Sequence, residues 1–331
     1  MSVLVTGSAG HLGEALLRTI AAAGRPALGI DIKPGPHTDR VGSIDDRDFV
    51  RSCMTGVRAV IHSATLHKPH IGTHANRDFI DTNVTGTLVL LEEAVSAGVE
   101  SFVFTSTTSA FGAALTPAGY QPAAWITEDV PPIPRNIYGV TKVAAEGLCE
   151  LFARQKRLPV VVLRTSRFFP EADDSAAVRD IYDTANAQAN ELLYRRVDIA
   201  DVVDAHLLAV ERAVEFGFAR FIISAPTPFD RDDVAMLRND APRVVARLFP
   251  EFADLYAARG WMMFPGIDRV YVAKQAVTRL GWRPAYDFRH VLSCLAAGED
   301  FRSPLARAVG AKGYHDTTFA EGPYPVAPSG A

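Results

Sequence analysis

Near the start of the chain a four-residue apolar run, Val3-Leu4-Val5-Thr6, empties into three evenly spaced glycines, Gly7, Gly10 and Gly13. A segment of helical periodicity follows, from Glu14 to Ala23, and stops at Gly24. Strand, glycine turn and helix in this order constrain the fold more than any other stretch, because they begin a βαβ unit of the dinucleotide-binding kind. The glycines permit a tight turn, let backbone amides approach a pyrophosphate, and let the helix pack closely on its strand with its N-terminus facing the phosphates. Loops collect glycine for many other reasons, so the reading depends on its context.

A second strand, Ala27 to Ile30, supplies that context by ending on Asp31, where such a fold sets an acid against the adenosine ribose. A carboxylate there accepts from both ribose hydroxyls and repels a 2′-phosphate, which favours NAD over NADP, although Lys33 and Arg40 stand nearby. The plainer alternative is that Asp31 only starts the turn through Lys33-Pro34-Gly35-Pro36. Strands at 59–64, 101–105, 160–164 and 221–224 then alternate with helices at 47–54, 81–97, 138–155 and 200–214, the pattern of a doubly wound parallel sheet.

Between these elements the expectations are looser. Residues 112–136 read as a long loop over the active face, 175–190 as a helix and 192–197 as a short strand. Residues 231–259 read as mostly helical, broken at Pro242 and Pro250, with further helices at 274–280 and 287–297. From Ser303 the chain is rich in glycine and proline and reads as an ordered wrap or a mobile tail. The acidic run Glu171 to Asp174 reads as a solvated helix start, and Trp125, Trp261 and Trp282 as packing.

At 331 residues and 48% hydrophobic, the chain can bury one large α/β core with a smaller partner. A net charge of −4 with mixed signs offers no basic stripe for nucleic acid and no lysine-rich amphipathic segment for a membrane surface. Cys53, Cys149 and Cys294 are too far apart for a disulfide framework or thiolate metal site and fit buried thiols in a reducing compartment. His62, His67, His70 and His74 lack the acidic or cysteine partners of a metal centre, so no metal is expected. With no charged leader and no spanning run, the reading is a soluble cytoplasmic protein.

Chemistry enters at Tyr138-Gly139-Val140-Thr141-Lys142. Residues at i and i+4 share a helix face, so an ammonium at 142 can sit near the phenol at 138 and hold its pKa down. On its own this spacing is usually a helix edge. Together with the preceding motifs, however, the chain resembles the extended short-chain dehydrogenase/reductase family, the NAD-dependent sugar epimerases and dehydratases. The resemblance covers Ser2 to Ala297 in the family's order. It is carried by Thr6-Gly7-x-x-Gly10-x-x-Gly13, Asp31, His62-Ser63-Ala64, Asn83 with Gly86-Thr87, Thr105-Ser106-Thr107 before Phe111-Gly112, Tyr138-x-x-x-Lys142, and Leu280-Gly281-Trp282-x-Pro284.

The resemblance implies a Rossmann domain over 1–165 plus about 198–224, and a mainly helical substrate-binding part over about 166–197 and 225–300. Residues 301–331 form a C-terminal extension. It implies catalysis by Tyr138 as base or acid, Lys142 on the nicotinamide ribose, and Thr107 bonded to the reacting oxygen. The implied cofactor wall is Gly7, Gly10, His11, Leu12, Gly13, Asp31, Ser43, Ile44, Ser63, Ala64, Thr65, Asn83, Thr105, Tyr138, Lys142 and Ser166, with His67 on the same side. Asn83 is alternatively structural. Thr107, Thr108 and Arg167 are implied to meet substrate, and a homodimer is implied through the helices after Asn83 and around Tyr138.

Three departures bear on the substrate. Thr108-Ser109 stand where dehydratases of the family carry an Asp-Glu pair, which disfavours dehydration. Arg167 replaces an asparagine, suiting either a substrate carboxylate or an ion pair with Glu171 or Asp173. The segment between Phe169 and Val197 is short for a nucleotide diphosphate clamp. The expectation is an NAD-dependent oxidoreductase on a secondary alcohol of a carbohydrate, foremost an epimerase. The alternatives are a sugar or sugar-acid dehydrogenase and, from another class, a non-catalytic NAD-sensing regulator.

Overall fold

The computed structural model describes residues 2–119, 121–313, 315 and 319. Its N-terminal part runs β1 (Val3–Thr6), α1 (His11–Ala22), β2 (Ala27–Asp31), β3 (Arg40–Val41), α2 (Arg47–Cys53) and β4 (Ala59–His62). Then come α3 (Asn76–Ile80), a π-type turn at Asp81–Thr85, α4 (Gly86–Ser96), β5 (Ser101–Thr107), β6 (Ala124–Ile126) and α5 (Ile137–Lys156). The remainder is β7 (Val160–Thr165), α6 (Ala176–Ile181), α7 (Thr184–Glu191), α8 (Ile199–Phe216), β8 (Phe218–Ile223), α9 (Val234–Asn239), α10 (Ala241–Leu248), α11 (Phe252–Ala257), β9 (Arg269–Tyr271), α12 (Phe288–Ala297) and α13 (Pro304–Val309).

Seven strands form one parallel sheet in the order β3-β2-β1-β4-β5-β7-β8. Alternate side chains divide between its faces, as strand geometry requires. Val3, Val5, Ile61, Val103 and Leu163 pack with α1 and α8 on one side. Leu4, Val60, Phe102, Phe104 and Val162 pack with α2, α4 and α5 on the other. This is the doubly wound parallel sheet expected from the alternation of elements.

A separate apolar cluster ties α7, α9, α10, α11 and α12 together around Leu237, Val245, Tyr256 and Phe288. Trp282 is completely buried in the sheet-side core, where its ring N–H donates to the Asp201 carbonyl at 2.9 Å.

Several expectations require correction. Residues 192–197 are not a strand: amides 192–195 continue helical and turn bonds to Gln188, Asn190 and Glu191, leaving a single bridge between Arg167 and Arg196. The helix expected over 175–190 is two helices, because Asp183 turns out of helical geometry and caps α7 through the Asn186 amide. The 112–136 loop contains β6, which pairs in parallel with β9. Three-residue strands are too short to show a period. The 231–259 stretch is three helices, as expected, with breaks next to Pro242, which sits in the first turn of α10, and at Pro250. The extension carries α13, packed against α1 and α8, so this part is an ordered wrap.

Candidate active site

The cofactor wall is built from backbone. Gly7 has φ +74°, and a Cβ at Gly13 would lie 2.0 Å from the Gly7 carbonyl oxygen, so strand and helix meet too closely for any side chain. Gly10 caps α1 with no side chain to take up the first helical amides, leaving a donor-rich N-terminus facing the cavity. Asp31, at the end of β2, accepts from the amides of Ala9 at 3.0 Å and Lys33 at 2.9 Å. A carboxylate has capacity left for ribose hydroxyls beyond those two bonds.

Behind this wall runs a chain of hydroxyls and one imidazole. Thr6 Oγ1 accepts from the amides of Ser63 and Ala64, both at 3.1 Å, and so gives its own proton to His62 Nδ1 at 2.8 Å. His62 Nε2 then donates to Thr87 Oγ1 at 3.0 Å, and Thr87 donates to the Asn83 carbonyl at 2.7 Å. Each step fixes the next, which requires a neutral imidazole; burial, first, and the nearby Lys142 charge hold His62 well below its ordinary pKa.

Asn83 is 2% exposed and stands behind the wall. Its Oδ1 accepts from Thr65 Oγ1 and the Leu66 amide at 2.8 Å each, and its Nδ2 donates to Leu66 O at 3.1 Å and Thr141 Oγ1 at 3.0 Å. The structural alternative for this residue is the one its bonds fit.

Asn136 caps α5 through the Gly139 amide at 3.0 Å, which sets Tyr138 in the first turn, on the cavity wall with Thr107 from the end of β5. Thr107 Oγ1 accepts from the Ser109 amide at 3.0 Å, leaving its own proton for the phenol oxygen. Burial pushes the phenol up to about 12, and the Thr107 hydroxyl pulls the other way. Lys142 is buried behind the wall, donating to the Thr105 carbonyl at 2.7 Å with its ammonium 4.0 Å from the Phe104 ring centre.

Burial brings Lys142 down to about 7. The simple i, i+4 expectation is therefore modified. The ammonium is turned to a carbonyl and an aromatic face, and the phenol's shift comes from burial and Thr107. Thr105 is itself held, its hydroxyl donating to His206 Nε2 at 2.9 Å because His206 Nδ1–H is committed to the Val202 carbonyl at 2.7 Å.

One cavity of about 540 Å³ brings these parts together. Gly7, Gly10, His11, Leu12, Gly13, Asp31, Ser43, Ile44, Ser63, Ala64, Thr65, His67, Thr105, Thr107, Thr108, Tyr138, Ser166 and Arg167 line it. Of the sequence-predicted residues, Asn83 and Lys142 stand behind its wall. The Ser166 hydroxyl is buried with no hydrogen-bond partner among the described residues, a polar atom that faces the cavity without a protein contact.

Arg167 resolves its two alternatives toward the ion pair: its Nη1 lies 2.7 Å from Asp173 Oδ2. The acidic run is accordingly not a solvated helix start. Asp173 is buried and paired, Asp174 is paired with Lys68, and Glu171 Oε1 lies 2.8 Å from His11 Nε2.

Sequence reasoning missed Arg269 and Tyr271, which reach the cavity from β9, and placed no role on Arg195, which also lines it. Arg195 Nη2 pairs with Glu191 Oε1 at 2.7 Å and Asp173 Oδ2 at 3.3 Å. Arg269 makes paired bonds to Asp268. Among the described residues, the linked cluster joins Lys68, Arg167, Arg195 and Arg196 to Asp173, Asp174 and Glu191. Arg269 is set in the same cavity by β9, which pairs with β6.

Comparison with known proteins agrees with this geometry. The NAD dependent epimerase/dehydratase family pattern matches residues 3–218. The UDP-glucose 4-epimerase of Rhizobium meliloti is 27% identical over 324 residues, 86% of this chain and 93% of that one. The sterol demethylase protein B of Methylococcus capsulatus is 30% identical over 227 residues, covering 65% and 67%. In other curated relatives the match covers 40% to 66% of their length. An NAD-bound short-chain dehydrogenase/reductase superfamily protein from Agrobacterium tumefaciens superposes with a TM-score of 0.63 at 24% identity, covering 93% of this chain and 97% of that one.

Proposed function

Since the chain belongs to the NAD-dependent epimerase/dehydratase family, matched over residues 3–218, we propose that it oxidises a secondary alcohol of a sugar or sugar acid and, as an epimerase, returns the hydride to the opposite face. The carrying observation is that Tyr138 and Thr107 together line the cavity that begins at the glycine turn.

The cofactor is NAD, and the residues fit it: the tight glycine turn, the uncapped α1 N-terminus and Asp31 suit the dinucleotide, and the partnerless Ser166 hydroxyl is available to it. When bound, NAD supplies the hydride acceptor and donor. Tyr138 removes the proton from the substrate hydroxyl as the carbonyl forms and returns it on reduction, while Thr107 donates to the oxygen and steadies its charge. Substrate oxidation needs the phenol brought down from about 12, and the Thr107 hydroxyl is the group of this chain that pulls it that way.

Thr108 and Ser109 add hydroxyls, not carboxylates, to this wall, which supports epimerisation over water removal. Arg195 and Arg269 on the same cavity favour a substrate bearing a carboxylate or phosphate over an apolar sterol. The second reading, a net dehydrogenase of a sugar acid, is favoured by the same arginines.

Incubating the protein with NAD and uronic acids, aldoses or UDP-sugars, with proton NMR and absorbance of NADH followed together, separates the two. Inversion without accumulated NADH supports the epimerase; NADH without inversion replaces it with the dehydrogenase. Tyr138→Phe is expected to slow either reaction about 10²- to 10⁴-fold while leaving NAD binding intact. Unchanged turnover in that variant refutes the assignment of the phenol.

A further inference from the structure

After α13 the chain does not leave the molecule at once. The Lys312 amide donates to Glu171 Oε1 at 3.1 Å, and the Gly313 amide to the same oxygen at 3.3 Å. The Lys312 ammonium pairs with Glu14, in the first turn of α1. Further on, His315 Nε2 bonds the Pro69 carbonyl at 3.0 Å. The segment thus crosses from α1 to the loop after β4, and Lys312 and Gly313 line the same cavity as Gly7, Gly10 and His11.

The charges at this end are unusual for an anion site. Glu14 is 2% exposed, and the Glu171 side chain is 8% exposed, with Oε2 lacking a hydrogen-bond partner among the described residues. A pyrophosphate approaching the α1 N-terminus meets the Glu171 carboxylate on the cavity wall besides the helical amides, with Glu14 behind it in the first turn of α1. Facing them among the described residues are the His11 imidazole, on Glu171, and the Lys312 and Arg18 side chains, on Glu14. Arg18 lies a turn further along the helix from the glycines and is 40% exposed, whereas Lys312 is on the cavity wall.

We propose that Lys312 is a cofactor-binding residue supplied by the C-terminal extension, held on Glu14 and shared with the dinucleotide pyrophosphate when it binds. The proposal rests on the NAD reading. It makes the wrap part of the phosphate site: the Glu171 anchor sets the lysine's backbone, and Glu14 holds its ammonium within reach of the helix N-terminus.

Calorimetric titration of the full chain with NAD, ADP-ribose and adenosine tests this. Lys312→Ala is expected to weaken NAD and ADP-ribose about tenfold, the effect of one lost charge-assisted bond, and to leave adenosine unchanged. Glu14→Gln, which releases the ammonium, is expected to tighten ADP-ribose by about twofold or more, an effect that Lys312→Ala in the same chain abolishes.

Lys312 is in an extended segment outside the core, and an unchanged Tm confirms folding of the variant. Affinities for NAD and ADP-ribose within about twofold of the parent overturn the proposal, as does an equal loss for adenosine. A parent protein that binds neither NAD nor ADP-ribose overturns the cofactor reading and this proposal with it.

Discussion

The two sides of the cavity are held by different forces. On the glycine side, the turn, the Thr6–His62–Thr87 relay and the Asn83 amide fix positions through neutral hydrogen bonds and backbone contacts. On the opposite side, Arg167, Arg195 and Arg196 are held by Asp173, Asp174 and Glu191, which lie in or just before the helices of the C-terminal part. The first kind of wall tolerates little change because backbone cannot yield. The second can change specificity by exchanging a charge, at the cost of leaving its partner uncompensated. A cofactor common to a family belongs with the rigid wall and a variable substrate with the charged one.

The strongest challenge to this contrast is Gly13→Val. A side chain forced to within 2.0 Å of the Gly7 oxygen must displace the turn, so NAD affinity is expected to fall at least about 100-fold, measured by calorimetry. A loss below about threefold would show the turn to be as pliable as the charged wall.

Next in size is Arg195→Ala, expected to raise KM for an anionic substrate about tenfold or more while the Kd for NAD stays fixed. Parallel losses in both constants would mean that the two walls are not independent.

The smallest effect separates charge from position inside the rigid wall. Burial lowers Lys142 from its ordinary 10.5 to about 7, so between those values the unfolded chain binds a proton that the folded chain does not. Stability therefore falls as pH drops from 10.5 toward 7, and the penalty is complete below the folded value. Lys142→Met removes the penalty; its Tm is expected to rise by roughly 2–5 °C at pH 6, with the gain vanishing near pH 10.5, while turnover is lost. An equal gain at both pH values would assign it to packing.

This contrast also explains what could be read from the sequence. Gly7, Gly10, Gly13, Asp31 and Tyr138 sit at strand ends and helix starts, where local periodicity and turn chemistry act over a few residues. Arg269 reaches the cavity only because β9 pairs with β6 far away in the chain, and Lys312 meets Glu14 across 298 residues. No local pattern encodes such meetings. Residues 192–197 misled for a related reason: Leu192, Leu193, Tyr194 and Val197 suit a strand, but the first three are buried among helices instead.

The Asn83 side chain, in the π-type turn after α3, bonds Thr65 and Leu66 of the loop after β4 and Thr141 near the start of α5, 58 residues away in sequence. Thr141 in turn donates to the carbonyls of Ile137 and Tyr138. The loop after β4 that lines the cavity and the turn that carries the phenol are therefore one clasped unit. Their mutual registration is part of the folded ground state, so the ordering entropy is lost once, during folding, and not again at each encounter with a ligand. Substituting Asn83, which does not line the cavity, is expected to act on the phenol's position through Thr141.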